Sequence, residues 1–232
     1  MVSAARCAWG AEIQVFAALG HGRSYGASSR VGFRTLPGIL QSGLWRMLET
    51  LPPSPTRAIV TDVGNDILYG YPVEQILEWI DQVLVRLQHT THDISLAGLP
   101  LESMQRLSPA KFLVIRSILF PGCRLSLDTV LAKGERIDKG LARMASAYGL
   151  KFFKLNPRWY GFDPIHIRPS LWNAAWHEIL QIGPSENGKS GGALETMRLY
   201  LMAPERRRLF GIEQFTSQTG LSLPHGGRIW LY

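Results

Sequence analysis

The sequence predicts an α/β protein built around a parallel sheet. Short apolar runs alternate with longer segments whose apolar residues recur at helical spacing, the order expected of strand–helix–strand units. Glycine- or proline-rich breaks separate them. The chain is also long enough: 232 residues, 46% hydrophobic and 19% charged. A chain of that size buries about 70% of its unfolded surface without a disulfide or metal staple. With no low-complexity tract and no internal repeat, a disordered chain, a collagen-like repeat and a coiled coil are excluded.

The first strand is expected over 13–19 and ends in the glycine-rich turn Gly-His-Gly-Arg-Ser-Tyr-Gly at 20–26. A helix follows over 37–51. The break Leu-Pro-Pro-Ser-Pro then leads into a second strand, 58–63, which ends at Gly64-Asn65-Asp66. Residues 72–88 form the clearest helix, because Val73, Ile76, Leu77, Ile80, Val83, Leu84 and Leu87 fall on one stripe. A third strand covers 93–99. Ser108 and Pro109 make an N-cap and first-turn pair that opens a helix toward 119. The next helix, 125–148, stops at Gly149. A fourth strand, 151–155, leads through an irregular loop to a helix over 169–181. Beyond a glycine-rich break there remain a helix over 193–202 and a strand-like ending, Gly-Arg-Ile-Trp-Leu-Tyr. Residues 1–182 are thus expected to form the α/β domain, and 183–232 an appendage on or near it, too short for a core of its own.

The 25 lysines and arginines exceed the 18 aspartates and glutamates by seven, for a net charge of +7. Apart from Arg206 to Arg208 the basic residues are scattered, and no basic helix interleaved with aromatics appears. No nucleic-acid partner is expected. The best apolar run, 112–120, is interrupted by Arg116, which excludes a membrane span. The N-terminal stretch lacks the apolar core of a secretory signal, so a cytoplasmic protein is expected. Cys7 and Cys123 have no metal-ligand spacing and read as ordinary thiols of a reducing compartment.

In parallel α/β sheets, ligands bind beyond the carboxyl ends of the strands. The first strand delivers Ser24 there, the second Asn65 and Asp66, and the loop after the fourth Asp163 and His166. These residue types suit acyl transfer. A serine hydroxyl needs a base to take its proton, and imidazole, with a pKa near 6.5, suits the task. A carboxylate on the other ring nitrogen fixes the tautomer. An amide side chain and backbone N–H groups serve as an oxyanion hole, each donor worth roughly 3–4 kcal/mol of barrier.

These residues resemble the blocks of the SGNH hydrolases, also called GDSL-type esterases and lipases. The nucleophile block Gly-Asp-Ser is matched by Gly22-Arg23-Ser24. The oxyanion-hole glycine, often in a Ser-Gly pair, is matched by Ser42-Gly43, with Gly38 as the competing position. The Gly-x-Asn-Asp block is matched by Val63-Gly64-Asn65-Asp66, with Val63 in place of the first glycine. The final Asp-x-x-His is matched by Asp163-Pro164-Ile165-His166. The blocks occur in the family's order over about 12–181. The resemblance implies a flavodoxin-like three-layer α/β/α sandwich that hydrolyses a small-molecule ester without a cofactor or metal. Ser24 would be the nucleophile, His166 the base and Asp163 its orienting acid; Ser24, Gly43 and Asn65 would form the oxyanion hole. Arg23, where the family has aspartate, bears on the rate and would favour an anionic substrate.

Two rival readings accompany this one. A catalytically inactive SGNH-fold binding module would keep the fold and not the chemistry. A nucleotide-binding protein would use Gly-Pro-Ser-Glu-Asn-Gly-Lys-Ser at 183–190, which satisfies the phosphate-loop pattern literally but lacks the preceding strand and following sheet. The spacing Gly20-x-Gly22-x-x-x-Gly26 lacks the acidic partner of a dinucleotide site. Trp159, Tyr160 and Phe162, ahead of Asp163, wall an acyl pocket or pack the loop. Tyr69 and Tyr71 stand in the same position, and His21 reads as a solvated turn residue.

Overall fold

A computed structural model describes residues 1–10, 12–181, 193–223 and 226–232, with side chains of 193–196 left aside. Helix α1 (Val2–Trp9) precedes β1 (Gln14–Ala17), and the hairpin β2 (Ser29–Val31) and β3 (Arg34–Leu36) follows. A 3-10 turn, Ile39–Gln41, leads into α2 (Leu44–Thr50). Then come β4 (Ala58–Val60), α3 (Asn65–Leu68), α4 (Val73–Gln88), β5 (Ile94–Ala97), α5 (Leu101–Met104), α6 (Pro109–Leu119), α7 (Leu127–Tyr148) and β6 (Lys151–Phe153). Two 3-10 turns, Pro157–Trp159 and Pro169–Leu171, lie on the way to α8 (Trp172–Ile179). The C-terminal part contributes α9 (Ala193–Leu201), β7 (Arg206–Leu209), β8 (Ile212–Phe215), β9 (Leu221–Ser222) and β10 (Arg228–Leu231).

The protein is a mixed α/β fold with a parallel sheet, β4-β5-β6, at its centre. Its helices form where periodicity and caps coincide. Along α4, Val73, Ile76, Ile80, Val83 and Leu84 are buried, while Leu77 and Leu87 pack at the margin of the same core. Ser108 caps α6 by accepting the Lys111 N–H, with Pro109 in the first turn. Ser126 does the same for α7 through Thr129 N–H, and Gly149 ends that helix at φ 66°. On α7, Val130, Ile137, Leu141 and Ala145 face α4 and the sheet. Gly140 lies so close to the Leu77 side chain that a Cβ there has no room.

The first strand departs from expectation. β1 pairs in parallel with β10 from Gln14↔Arg228 to Ala17↔Leu231, and β10 pairs antiparallel with β9. β1 therefore belongs to a different sheet from β4. Apolar burial explains the pairing: Ile229 and Trp230 are both buried, and Phe16 stacks on Trp230 with centroids 4.7 Å apart. Ala4, Ala5 and Leu180 pack with Ile13 and Ile59, joining the β1 and β4 regions.

The segment expected as an appendage supplies four strands, two of them paired with strands from the first part of the chain. β10 completes the β1 sheet, and β7 joins β3 in the antiparallel sheet β2-β3-β7-β8. The helix expected over 37–51 is broken, because Ser42 is extended (ψ 157°) and its hydroxyl donates to Ile39 O at 2.7 Å. The second strand stops at Val60, short of the expected 63. No helix among the described residues is long and apolar enough to cross a membrane.

Candidate active site

The turn after β1 is held from below and from both sides. Gly22 takes φ 64°, a left-handed conformation suited to glycine. Gly20 lies directly under Leu36, leaving no space for a Cβ. Arg23 is only 3% exposed. Its Nε donates to Pro37 O at 3.1 Å, and its Nη1 donates to Leu19 O at 3.3 Å and to Tyr232 O. Burial, with the Arg34 charge nearby, brings its pKa down to about 10, so it is charged at neutral pH. Arg23 is thus a tie between the turn, the loop after β3 and the end of β10. The expectation that it would favour an anionic substrate gives way to this buried role.

Ser24 follows and is fully buried. Its Oγ accepts from Gly26 N at 3.2 Å and Ala27 N at 2.9 Å. The hydroxyl also interacts with the Asp66 carboxyl. Asp66 is itself buried and accepts the Tyr25 N–H at 3.0 Å. Burial raises the Asp66 pKa, against the lowering effect of Ser24 and the Tyr25 N–H. Asp66 thus anchors the segment that carries Ser24.

Past β4 the chain turns sharply into α3. Asp62 adopts φ 60°, the left-handed region that aspartate tolerates better than most side chains. Asn65, one turn on, donates through Nδ2 to Arg23 O and to Asp62 O, both at 3.4 Å. Tyr69 donates its hydroxyl to Gly22 O at 2.7 Å. The loop after β4 is therefore stitched to the loop after β1.

The loop after β6 brings the imidazole. Asp163 Oδ1 accepts the N–H groups of Ile165 (3.0 Å) and His166 (3.2 Å), while Oδ2 lies 2.6 Å from His166 Nδ1. One carboxylate thereby fixes both the backbone and the ring. With Nδ1–H directed at Asp163, Nε2 of the neutral ring is left as the proton acceptor. The Asp163 hydrogen bond raises the His166 pKa above 6.5; burial opposes it, and the charges of Asp163 and Asp62 add to it. Burial acts to raise the Asp163 pKa, but the hydrogen bonds from His166 and Ile165 prevail and lower it below 3.8. Both side chains remain about half exposed, at 54% and 45%. The His21 ring stands 6.4 Å from that of His166, centre to centre.

The turn that carries Ser24 thus meets Asn65 through the Arg23 carbonyl, and its His21 ring meets that of His166. Among the described residues no hydrogen bond joins Ser24 to His166. Asp62 was missed from sequence, although it lies two residues past a strand and just before the Gly-Asn-Asp turn. It is open to solvent yet ringed by protein, and that crowding raises its pKa against the pull of His166. Beside Gly43 stands the Glu205 carboxylate, where a Cβ would fall. Gly38 instead abuts the backbone of Gly26 and Ala27, and the next residue, Ile39, donates its N–H to Ser24 O at 3.0 Å.

The aromatics divide. Trp159 and Tyr160 are buried with Ala175 and Ile179 as loop packing, whereas Phe162 is exposed under Lys111, whose Nζ lies 3.8 Å from the ring centre. A small, mostly apolar pocket of about 30 Å³ reaches Pro164 and Ile165, with Leu68, Phe112, Ile115 and Phe120 among its other lining residues. Among the described residues no group of His, Cys, Asp or Glu is arranged to hold a metal ion. The phosphate-loop-like segment 183–190 lies outside the described residues. Compared with family models, curated proteins and solved structures, the chain matches none.

Proposed function

We propose that the protein is a serine esterase or acyl hydrolase of the SGNH type, on a flavodoxin-like core, working through an acyl-enzyme intermediate. The observation that carries this reading is the 2.6 Å Asp163–His166 pair, whose ring lies 6.4 Å from that of His21 in the Ser24 turn, with the Asn65 amide bonded to that turn at Arg23 O. Attack requires the Ser24 hydroxyl to rotate away from Gly26 N–H, Ala27 N–H and Asp66 toward His166 Nε2. His166 takes the hydroxyl proton as Ser24 Oγ bonds the ester carbonyl carbon. The oxyanion is received by the Asn65 amide and by the backbone N–H groups of Ser24 and Gly38, in place of Gly43. Collapse of that intermediate expels the alcohol, which takes its proton from His166, and His166 then activates water to release the acid. The small apolar pocket beside Ile165 suits a short acyl chain.

A second reading, an inactive binding module, draws on the burial of Ser24 and the hold on its hydroxyl. A fluorophosphonate probe separates the two. Under the hydrolase reading, intact-protein mass spectrometry shows one adduct, located on Ser24 and absent from His166→Ala. A protein that remains unlabelled on prolonged exposure, while still folded, favours the binding module.

A further inference from the structure

We propose that the antiparallel sheet β2-β3-β7-β8 docks the protein on an anionic lipid surface. The two hairpin turns of this sheet lie side by side, because Arg34 pairs with Leu209 and Phe210 N–H donates to Phe33 O at 3.0 Å. Each turn holds a phenylalanine out in solvent: Phe33 is 67% exposed and Phe210 74%. Ile212 and Phe215 on the edge strand β8 are 69% and 70% exposed. Scattered exposed apolar residues need no explanation, but a cluster of large ones on one element marks an interaction site.

Backbone strain points the same way. Phe210 takes φ 50° beside Gly211 at φ 85°. A bulky side chain in the left-handed region is a genuine outlier, and hairpin turns of this kind favour asparagine, aspartate or glycine. Stability alone would therefore select against a phenylalanine at this position twice, for exposure and for strain.

The charge around the tips is strongly positive. Segments 28–36 and 206–215 contain five arginines and a single acidic residue, Glu213, more than half of the chain's net charge of +7. The register puts Arg30, Arg206 and Arg208 on the outward face, all exposed, with Arg208 and Arg206 sharing Glu213 at 2.8 and 3.3 Å. Apolar tips flanked by arginines match an interface whose acyl layer lies just beneath anionic headgroups.

The ring geometry favours lipid over nucleic acid. Binding of single strands uses free aromatic faces on which bases stack. Here Phe33 and Phe210 already stack on each other at 4.7 Å, and the Arg206 guanidinium covers the Phe215 ring at 5.4 Å. Each stacked ring has one face covered by the other, and the rest of the pair is an exposed apolar surface suited to acyl chains. The sheet also reaches the candidate active site, since Leu36 of β3 packs on Gly20 and Val31 of β2 on Gly22. Docking is independent of whether Ser24 reacts.

The test is flotation of the full chain with unilamellar vesicles of phosphatidylcholine, with and without phosphatidylserine. The wild-type protein should float with the mixed vesicles, less so without phosphatidylserine and less in high salt. Arg206→Gln and Arg208→Gln should each weaken binding about fivefold. Phe33→Ser with Phe210→Asn should abolish flotation on either vesicle; asparagine tolerates the left-handed turn, so the thermal midpoint should not fall. Failure of the wild type to float, or equal flotation of the phenylalanine variant, overturns the proposal. So does a shift of single-stranded oligonucleotide, or a self-association, that the same substitutions remove while vesicles go unbound.

Discussion

Asp163 grips His166 twice, through ring Nδ1 and through the backbone N–H, so removing its charge disturbs tautomer and placement together. Asp163→Asn should lower kcat for an aryl ester by about 10²–10⁴-fold with little change in KM. The raised His166 pKa means the neutral base appears only above the ordinary 6.5. The rate should therefore rise with pH through a midpoint above that value, and the midpoint should move down in Asp163→Asn. Stability follows the opposite limb. The raised histidine contributes below pH 6.5 and is lost as pH climbs through its folded pKa; the lowered Asp163 contributes above 3.8 and is lost as pH falls through its own. The difference in unfolding free energy between wild type and Asp163→Asn should peak between those values and stay within about 1 kcal/mol, because both groups are half exposed. Urea unfolding across pH measures it. The Asp163–His166 pair and the contact of Asn65 with the Ser24 turn were legible from sequence, because both lie in loops that follow strands. Asp62 was not, since nothing local in the sequence marks its left-handed backbone.

Among the elements, α4 and α7 were readable because each couples a continuous apolar stripe to a cap or stop. Ile137 on α7 is fully buried between α4 and the sheet. Ile137→Ala should cost about 3–4 kcal/mol of unfolding free energy, and Ser126→Ala about 1 kcal/mol through loss of the helix cap. Thermal or urea unfolding of each variant checks both values. The hairpins β2–β3 and β7–β8 were invisible for the converse reason. Their strands are short, and an Arg-Arg-Arg run lacks the alternation of apolar and polar residues that identifies a half-buried strand. What holds them is cross-strand pairing, as in Arg207 Nε to Gln214 Oε1 at 2.9 Å, rather than a hydrophobic stripe.

At the scale of the molecule, the sheets and the site are tied by long-range contacts from the end of the chain. Arg23 links the Ser24 turn to Tyr232, and β10 flanks β1 along its length. Parallel pairing of a first and a last strand leaves no local trace in sequence, which is why a single sheet was expected where separate ones exist. Arg23→Met should strip three carbonyl oxygens of their donor and lower the unfolding free energy by about 3 kcal/mol, with lysine restoring only part. Differential scanning calorimetry of the two variants reads that ordering. The central claim remains that Ser24 and His166 form one reacting pair. Its most direct test is hydrolysis of a short-chain aryl ester by the wild type and by Ser24→Ala, each confirmed as folded by its thermal midpoint. The account predicts turnover by the wild type and none above background by the variant; equal turnover by the two would contradict it.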